Sequence, residues 1–315
     1  MNLQTLKSNN QKKLFNYNNF FLNVVNLYNK KKLPNQILFS GPKGIGKSTF
    51  AYHLLNYIFS KNEEFKYNLN NFEIDDLNKS YNLILNNTHP NFHLIDLAED
   101  KNVIEISQIR EMINYANKSA FNNMERIVLI DNAENLNLNS SSALLKIIEE
   151  PNENVFFILI FDNNKRILET LKSRCLRFNL SMTYDECVNV TNKIIQKNLH
   201  DLINKDLINH YNTIGDFIHL LNFSTSSKIN ISEINLKSFL IDIIDEKFYK
   251  KELFIKKNIY KYIEFYFLKL INLDRFEKKK FSMYENFIKK IYNLKKFNLD
   301  EESLFIELKT KVLNG

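Results

Sequence analysis

Residues 41–48 read GPKGIGKS, and their types and spacing are those of a phosphate-binding loop, G-x-x-x-x-G-K-[ST]. The glycines let the backbone fold tightly, so that its N–H groups point inward at phosphate oxygens. A helix that begins at the end of the loop adds a partial positive charge. A glycine-rich turn that matches by chance is the alternative. It is disfavoured because a strand-like run precedes the loop and a helical pattern follows it.

A nucleotide, ATP or ADP with Mg²⁺, is the ligand that this loop predicts. We expect Lys47 to contact the β- and γ-phosphates and the hydroxyl of Ser48 to bind Mg²⁺. The predicted nucleotide-binding residues are Gly41, Pro42, Lys43, Gly44, Ile45, Gly46, Lys47, Ser48 and Thr49.

Asp131 is the predicted second metal ligand, because it ends the apolar run RIVLID and such a carboxylate holds Mg²⁺ through water in P-loop enzymes. Its alternative role is to cap the following helix. Hydrolysis also needs a base that orients the attacking water, commonly a Glu directly after that Asp. Asn132 stands there instead and cannot take a proton. Glu134 is expected to point elsewhere, so we predict weak turnover or none.

Five short apolar runs in the first 180 residues predict β-strands, and helix-length patterns separate them. Continuous apolar runs are typical of strands buried on both faces of a parallel sheet, and strand–helix alternation indicates an α/β fold. The runs are QILFS (36–40), FHLIDL (92–97), RIVLID (126–131), VFFILIF (155–161) and CLRFNL (175–180). In the helical patterns, SSSALLKIIEEP begins on a serine run suited to an N-cap and ends before Pro151.

After residue 180 the strand signals disappear and helical patterns continue to the end of the chain. We predict a nucleotide-binding domain over 1–180, a helical domain over 181–225 and a second helical domain over 226–315. A polar stretch, NFSTSSKINIS (222–232), is interpreted as a linker. Only 5 Gly and 4 Pro occur in 315 residues, which favours long helices.

Composition excludes several classes of protein. The 2 cysteines and 6 scattered histidines predict neither a disulfide framework nor a zinc site. No run of about 18 apolar residues predicts a membrane span, and the first residues lack the apolar core of a signal peptide. We therefore expect a cytoplasmic protein that contacts no membrane. The net charge of +7 is compatible with nucleic-acid contact, or equally with a genome rich in Lys codons.

Taken together, five stretches of the chain resemble the clamp-loader branch of the AAA+ ATPases, and within it the delta-prime family of bacterial DNA polymerase III subunits. They are LPNQILFSGPKGIGKSTFA, THPNFHLID, IEISQIREMINYA, RIVLIDNAENLNLNSSSALLKIIEEPNENVFFIL and LKSRCLRFNL. The resemblance implies an α/β AAA+ P-loop domain, a small helical lid and an all-α C-terminal collar that assembles subunits. It implies as partners the other clamp-loader subunits, of motor and delta type, and the sliding clamp. Primer-template DNA would be reached through the assembled complex.

In this family the SRC motif carries an arginine finger that reaches into the neighbouring subunit's ATP site, and Arg174 is the matching residue. A surface ion pair is its alternative role. The chain also departs from the family. No cysteine occurs in the interval where many relatives carry a zinc module, so no zinc is expected. Asp162 is a doubtful stand-in for a small polar sensor, and the lid segment NTIGDFIHLL has no sensor arginine.

Three functions remain open from the sequence. The first is a delta-prime-type clamp-loader subunit with weak or absent hydrolysis. The second is a self-sufficient AAA+ ATPase, the motor subunit of the loader, and the third is a P-loop kinase or unrelated NTPase. Lysines at 278–280, 289–290 and 295–296 lie among aromatic residues. These segments could bind DNA, although packed helices with solvated lysine faces are favoured.

Overall fold

A computed structural model describes residues 6–98, 101–118, 124–150, 152, 154–273, 278–297 and 299–314. The chain forms two compact units. The first comprises Met1–Val190 with Thr213–Gly215, and the second comprises Thr191–Asn212 with Asp216–Gly315. The domain boundaries predicted at residues 180 and 225 stay predictions.

The first unit contains a parallel five-stranded sheet in the order β2-β3-β4-β1-β5. The predicted α/β architecture is therefore confirmed, and each predicted strand is found within two residues of its expected ends. The strands are β1 (Gln36–Gly41), β2 (Phe92–Ile95), β3 (Arg126–Ile130), β4 (Val155–Asp162) and β5 (Leu176–Asn179).

Both faces of the sheet are buried, which explains why its central strands are apolar almost without interruption. In β3, Ile127 and Leu129 belong to the hydrophobic cluster on one face, whereas Val128 and Ile130 belong to the cluster on the other. Side chains of a strand alternate between faces, so a strand between two clusters needs apolar residues at every position.

Seven helices accompany this sheet or follow it directly in the described residues. They are α1 (Asn18–Asn29), α2 (Lys47–Phe59), α3 (Lys79–Leu85), α4 (Ile106–Ala116), α5 (Leu138–Glu149), α6 (Glu169–Arg174) and α7 (Tyr184–Ile195). The predicted serine N-cap of α5 is wrong. The helix begins at Leu138, and the side chain of Asn137 accepts a hydrogen bond from the backbone N–H of Ser140. Pro151 lies outside the described residues.

The described residues after Asn179 contain helices and no strand. They form α8 (Leu199–Leu202), α9 (Ile214–Ser227), α10 (Leu236–Asp245), α11 (Phe248–Lys251), α12 (Leu253–Leu273), α13 (Lys278–Phe297) and α14 (Glu301–Leu308), which a π-helical turn extends to Leu313. The linker interpretation of 222–232 is wrong for its first half, because α9 continues to Ser227. Ser227 and Thr225 are accommodated because their hydroxyls donate to backbone carbonyls of the preceding turn.

The prediction that aromatic side chains pack in a helical core while lysines face solvent holds only in part for helix α13. Phe287, Ile291 and Leu294 are buried as core residues, whereas Tyr292 and Phe297 are exposed. The side chains at 278–280 and 295 lie outside the described set. No helix in the described part of the chain is long and apolar enough to span a membrane.

Candidate functional site

The predicted phosphate-binding loop connects β1 to α2 and depends on glycine at two points. Gly44 and Gly46 have φ angles of +85° and +90°, in the left-handed region that favours glycine. A Cβ atom at Gly44 would also lie 2.3 Å from Oγ1 of Thr213. The loop therefore needs glycine at position 44 both for its backbone conformation and for space.

Lys47 is the first residue of α2, and its ammonium group folds back onto the loop. Its Nζ donates hydrogen bonds to the carbonyl oxygens of Gly41 (2.8 Å) and Pro42 (2.6 Å). The residue is buried, and burial lowers the pKa of Lys47, while the nearby carboxylates of Asp162, Asp131 and Glu134 oppose this shift. The ammonium group thus lies inside the loop, where a phosphate would offer it a stronger acceptor than the two carbonyls.

Ser48 and Asp131, the two predicted metal ligands, are in direct contact although 83 residues separate them. The hydroxyl of Ser48 donates a hydrogen bond to Oδ2 of Asp131, and Oδ1 accepts one from the backbone N–H of Asn132 at 2.8 Å. Burial raises the pKa of the Asp131 carboxyl, and the hydrogen bond from Ser48 opposes this rise. A hydroxyl and a carboxylate oxygen side by side are hard oxygen donors of the kind that Mg²⁺ prefers.

Asn132 is turned toward the end of β2 rather than toward the loop. Its backbone is left-handed, with φ +53°, and its Nδ2 donates to Oδ1 of Asp96 at 2.7 Å. The residue that stands where a catalytic Glu would be expected is therefore held by a neighbouring carboxylate. Sequence reasoning missed Asp96, although its position at the end of the run FHLIDL could have indicated it.

Glu134 does not point away from the site as we expected. Its Oε2 accepts a hydrogen bond from the backbone N–H of Asp162 at 3.1 Å, and 1% of its side chain is exposed. Asp162 ends β4 and pairs with Gly41, the first residue of the loop. The 3₁₀ turn at Ala133–Asn135 folds the chain back after Asn132, and this turn carries Glu134 to the end of β4.

Arg174 ends α6, and its guanidinium is bound by its own chain. Its Nη2 lies 2.7 Å from Oε1 of Glu149, and its Nη1 donates to the carbonyl of Thr170 at 3.1 Å. Neither contact involves residues 41–49, so the structure does not bring Arg174 to the loop of the same chain. Its side chain is 38% exposed, which leaves the guanidinium accessible from outside.

Two further contacts to the loop had no signal in the sequence. The hydroxyl of Tyr17 donates to the carbonyl of Ile45 at 3.0 Å. The backbone N–H of Gly215 donates to the carbonyl of Gly44 at 2.9 Å. Both contacts link the loop to distant segments of the chain.

No group of three or more His, Cys, Asp or Glu side chains is arranged to hold a metal ion in the described part of the chain. Cys175 is half-buried and Cys187 is buried, and neither of the two forms a disulfide. The expectation that zinc is absent stays a prediction.

A family model and several curated proteins match this chain. A family model described as "DNA polymerase III, delta subunit" matches residues 17–183, more than half of the 315 residues. DNA polymerase III subunit delta' of Pseudomonas aeruginosa is 29% identical over 140 residues, which are 44% of this chain and 41% of that protein. The delta' subunit of Bacillus subtilis is 25% identical over 197 residues, covering 62% of this chain and 56% of that protein.

Relatives named as gamma/tau or tau subunits are similar too. DNA polymerase III subunit gamma/tau of Mycoplasma genitalium is 28% identical over 236 residues, covering 70% of this chain and 37% of that protein. The chain thus spans well under two thirds of these three relatives. Among solved structures, a gamma subunit-related protein of Thermotoga maritima matches with a TM-score of 0.49 at 14% identity, covering 90% of this chain and 96% of that one.

The matched segment contains all five strands, the loop, Asp131 and Arg174. Several curated delta' subunits match the chain at 25–33% identity. The chain therefore belongs to the DNA polymerase III, delta subunit family, as a subunit of the delta-prime type.

Proposed function

We propose that the chain is a clamp-loader subunit of a DNA polymerase III holoenzyme and helps to load the sliding clamp onto primed DNA. Its membership in the delta subunit family is the observation that carries this proposal. The other clamp-loader subunits, of motor and delta type, and the clamp are its proposed partners. Primer-template DNA is reached through the assembled complex, in the cytoplasm.

The loop at residues 41–49 is proposed to bind ATP or ADP with Mg²⁺. The donor set fits, because the Lys47 ammonium is buried against loop carbonyls and the Ser48 hydroxyl touches the Asp131 carboxylate. When bound, Mg²⁺ would neutralise phosphate charge. Lys47 would exchange its two carbonyl acceptors for phosphate oxygens, and Ser48 and Asp131 would hold the metal.

Weak or absent hydrolysis follows from the surroundings of Asn132. An amide cannot accept a proton from water, and this one is already engaged with Asp96 at 2.7 Å. A water molecule beside the γ-phosphate would therefore lack the base that P-loop ATPases commonly supply.

Arg174 is proposed to act in trans, as an arginine finger in the ATP site of a neighbouring subunit. It lies outside the loop of its own chain, is partly exposed, and is held by an exposed partner, Glu149. An exposed ion pair contributes less than about 1 kcal/mol, so the guanidinium can be released to a phosphate at small cost. In GTPases such fingers contribute about 10³–10⁵ in rate.

The alternative is a self-sufficient motor subunit, and the intact loop motif favours it. Both proposals are tested with the purified chain, Mg²⁺ and labelled ATP, following binding and phosphate release together. Binding without release supports the proposed function. Steady release that Lys47→Ala abolishes would establish the motor alternative.

The trans role is tested in a loader reconstituted from all its subunits. Arg174→Ala is expected to lower DNA-dependent ATP turnover at least tenfold while the loader still assembles, and Lys172→Ala serves as the control in the same helix. Unchanged turnover with Arg174→Ala would overturn the arginine-finger proposal. A chain that remains monomeric in the presence of the other subunits would overturn the clamp-loader assignment itself.

A further inference from the structure

Two carboxylates meet at the end of β4, directly beside the phosphate-binding loop. Asp162 is the last residue of β4 and pairs with Gly41, the first residue of the loop. The next backbone N–H, that of Asn163, donates to the carbonyl of Gly41 at 3.2 Å. That same carbonyl accepts the hydrogen bond from Nζ of Lys47. The carbonyl of Gly41 therefore connects the end of β4 to the Lys47 ammonium, which is proposed to contact the phosphates.

Glu134 is fixed at this place by the backbone of β4. Its Oε2 accepts from the N–H of Asp162 at 3.1 Å, while 1% of its side chain is exposed. Its cationic partner, Lys165, lies 3.6 Å from Oε1 and is 47% exposed, so water screens much of that charge. The carboxylate of Asp162 accepts from the N–H of Asn164 at 3.0 Å, which holds it in the turn after the strand.

The electrostatics of Lys47 agree with this geometry. Burial lowers the pKa of Lys47, and the nearby negative charges of Asp162, Asp131 and Glu134 raise it. Asp131 is needed for Mg²⁺, which any bound nucleotide would share. Asp162 and Glu134 are not proposed metal ligands, so a bound Mg²⁺ would leave their negative charges beside the loop.

We propose that Glu134 and Asp162 make this loop selective for a nucleoside diphosphate over the corresponding triphosphate. This inference rests on the proposed nucleotide binding. Lys47 reaches the β- and γ-phosphates in such loops, and the γ-phosphate adds a negative charge at the end that faces these two residues. Like charges in a partly buried site repel more strongly than in water. Lys47 and Mg²⁺ attract the β-phosphate of both nucleotides, and for ADP to be preferred the repulsion by Glu134 and Asp162 must exceed the attraction that Lys47 and Mg²⁺ add at the γ-phosphate.

The experiment is calorimetric titration of the purified full chain with ADP, ATP and the imido analogue of ATP, each with Mg²⁺. We expect ADP to bind at least tenfold more tightly than either triphosphate. The Glu134→Gln, Asp162→Asn double variant keeps the size of both side chains and one acceptor oxygen in each, and it removes their negative charge. It should bind the triphosphates more tightly and reduce the preference for ADP at least fivefold.

Glu64→Gln is the matched control, because it removes one exposed carboxylate elsewhere in the same unit. The preference of this variant for ADP over the triphosphates should equal that of the unmodified chain. Equal or tighter binding of the triphosphates by the unmodified chain would overturn the inference and leave the clamp-loader proposal standing. An unchanged preference in the double variant would also overturn it. Failure of every nucleotide to bind would overturn the nucleotide-binding proposal together with the inference.

Discussion

His53 shows at the residue scale how burial determines a protonation state. Its Nε2 lies 2.9 Å from the carbonyl oxygen of Gln11, and its Nδ1 lies 2.8 Å from the hydroxyl of Tyr67. A carbonyl only accepts, so Nε2 must donate and Nδ1 is free to accept from the hydroxyl. The neutral ring is therefore fully satisfied, and burial lowers the pKa of His53 from 6.5 to about 4.

We expect this histidine to make folding sensitive to mild acid. Below pH 6.5 His53 is protonated in the unfolded chain, whereas in the folded chain it becomes protonated only near pH 4. The free energy of unfolding is therefore fully retained above pH 6.5 and falls between pH 6.5 and about pH 4. The loss due to this residue is about 3 kcal/mol at most. Urea unfolding at pH 7.5 and 4.5 measures the loss.

The variant His53→Gln should be less stable than the unmodified chain at pH 7.5 but lose less on acidification. Exposed His200→Gln is the control and should lose as much as the unmodified chain. His89, also buried, has its pKa lowered to about 4 and contributes in the same direction in all three proteins. Equal losses for His53→Gln and the unmodified chain would contradict the prediction.

Arg174 should contribute little to stability, whatever it does in a complex. Its side chain and that of Glu149 are 38% and 47% exposed, so water screens their ion pair. Arg174→Ala and Glu149→Gln are each expected to lower the free energy of unfolding by less than about 1 kcal/mol. Chemical denaturation measures this. A loss above about 2 kcal/mol would mean that the arginine is structural, and loss of loader activity in Arg174→Ala could then be explained by unfolding.

At the scale of elements, α5 carries Glu149 at its last turn and begins with a side-chain cap. Oδ1 of Asn137 accepts from the N–H of Ser140 at 2.8 Å, satisfying one of the free N–H groups of the first turn. The hydroxyl of Ser140 is not a cap, because it is buried and donates to the carbonyl of Ile104 at 2.9 Å. Asn137 thus caps the helix, whereas the side chain of Ser140 bonds to the preceding segment at Ile104.

We expect Asn137→Ala to destabilise the protein by about 1 kcal/mol through loss of the cap. Exposed Asn139→Ala, two residues further along the same turn, is the matched control and should change stability by less than half as much. Thermal and urea unfolding of both variants provide the comparison. Equal losses of stability in the two variants would show that the cap hydrogen bond of Asn137 does not stabilise the helix.

At the scale of the whole molecule, the phosphate-binding loop depends on a segment about 170 residues away in the chain. The N–H of Gly215 donates to the carbonyl of Gly44, and a Cβ atom at Gly215 would lie 2.9 Å from Cα of Gly44. Since the obstructing atom is backbone, one of the two segments would have to move.

Gly215→Ala is therefore expected to destabilise the protein by about 1–3 kcal/mol, as overpacking does. Gly44→Ala meets Thr213 in the same contact and adds the strain of its positive φ angle. A double-mutant cycle separates these effects. Because opening the contact once makes room for both methyl groups, the double variant should cost less than the sum of the single variants. Additive costs would contradict a shared contact.

Much of the architecture was readable from local pattern. Apolar runs predicted all five strands, and the central strands are apolar almost continuously because a strand buried on both faces needs an apolar residue at each position. The loop and its lysine were readable too, because the backbone path around phosphate requires glycines at fixed spacing. The resemblance to the clamp-loader family rested on stretches that cover most of residues 33–180, and this range lies wholly within residues 17–183, which the family model matches.

Other features were decided by contacts between distant parts of the chain. Pairing of β4 with β1 brings Asp162 to Gly41, and the turn after β3 brings Glu134 to Asp162. Asn137 caps α5, whereas the hydroxyl of Ser140 donates a hydrogen bond to the carbonyl oxygen of Ile104. The sequence by itself therefore determined which residues could bind phosphate and metal. Tertiary structure decided which charges surround them, since strand order, not sequence spacing, places carboxylates within reach of the loop.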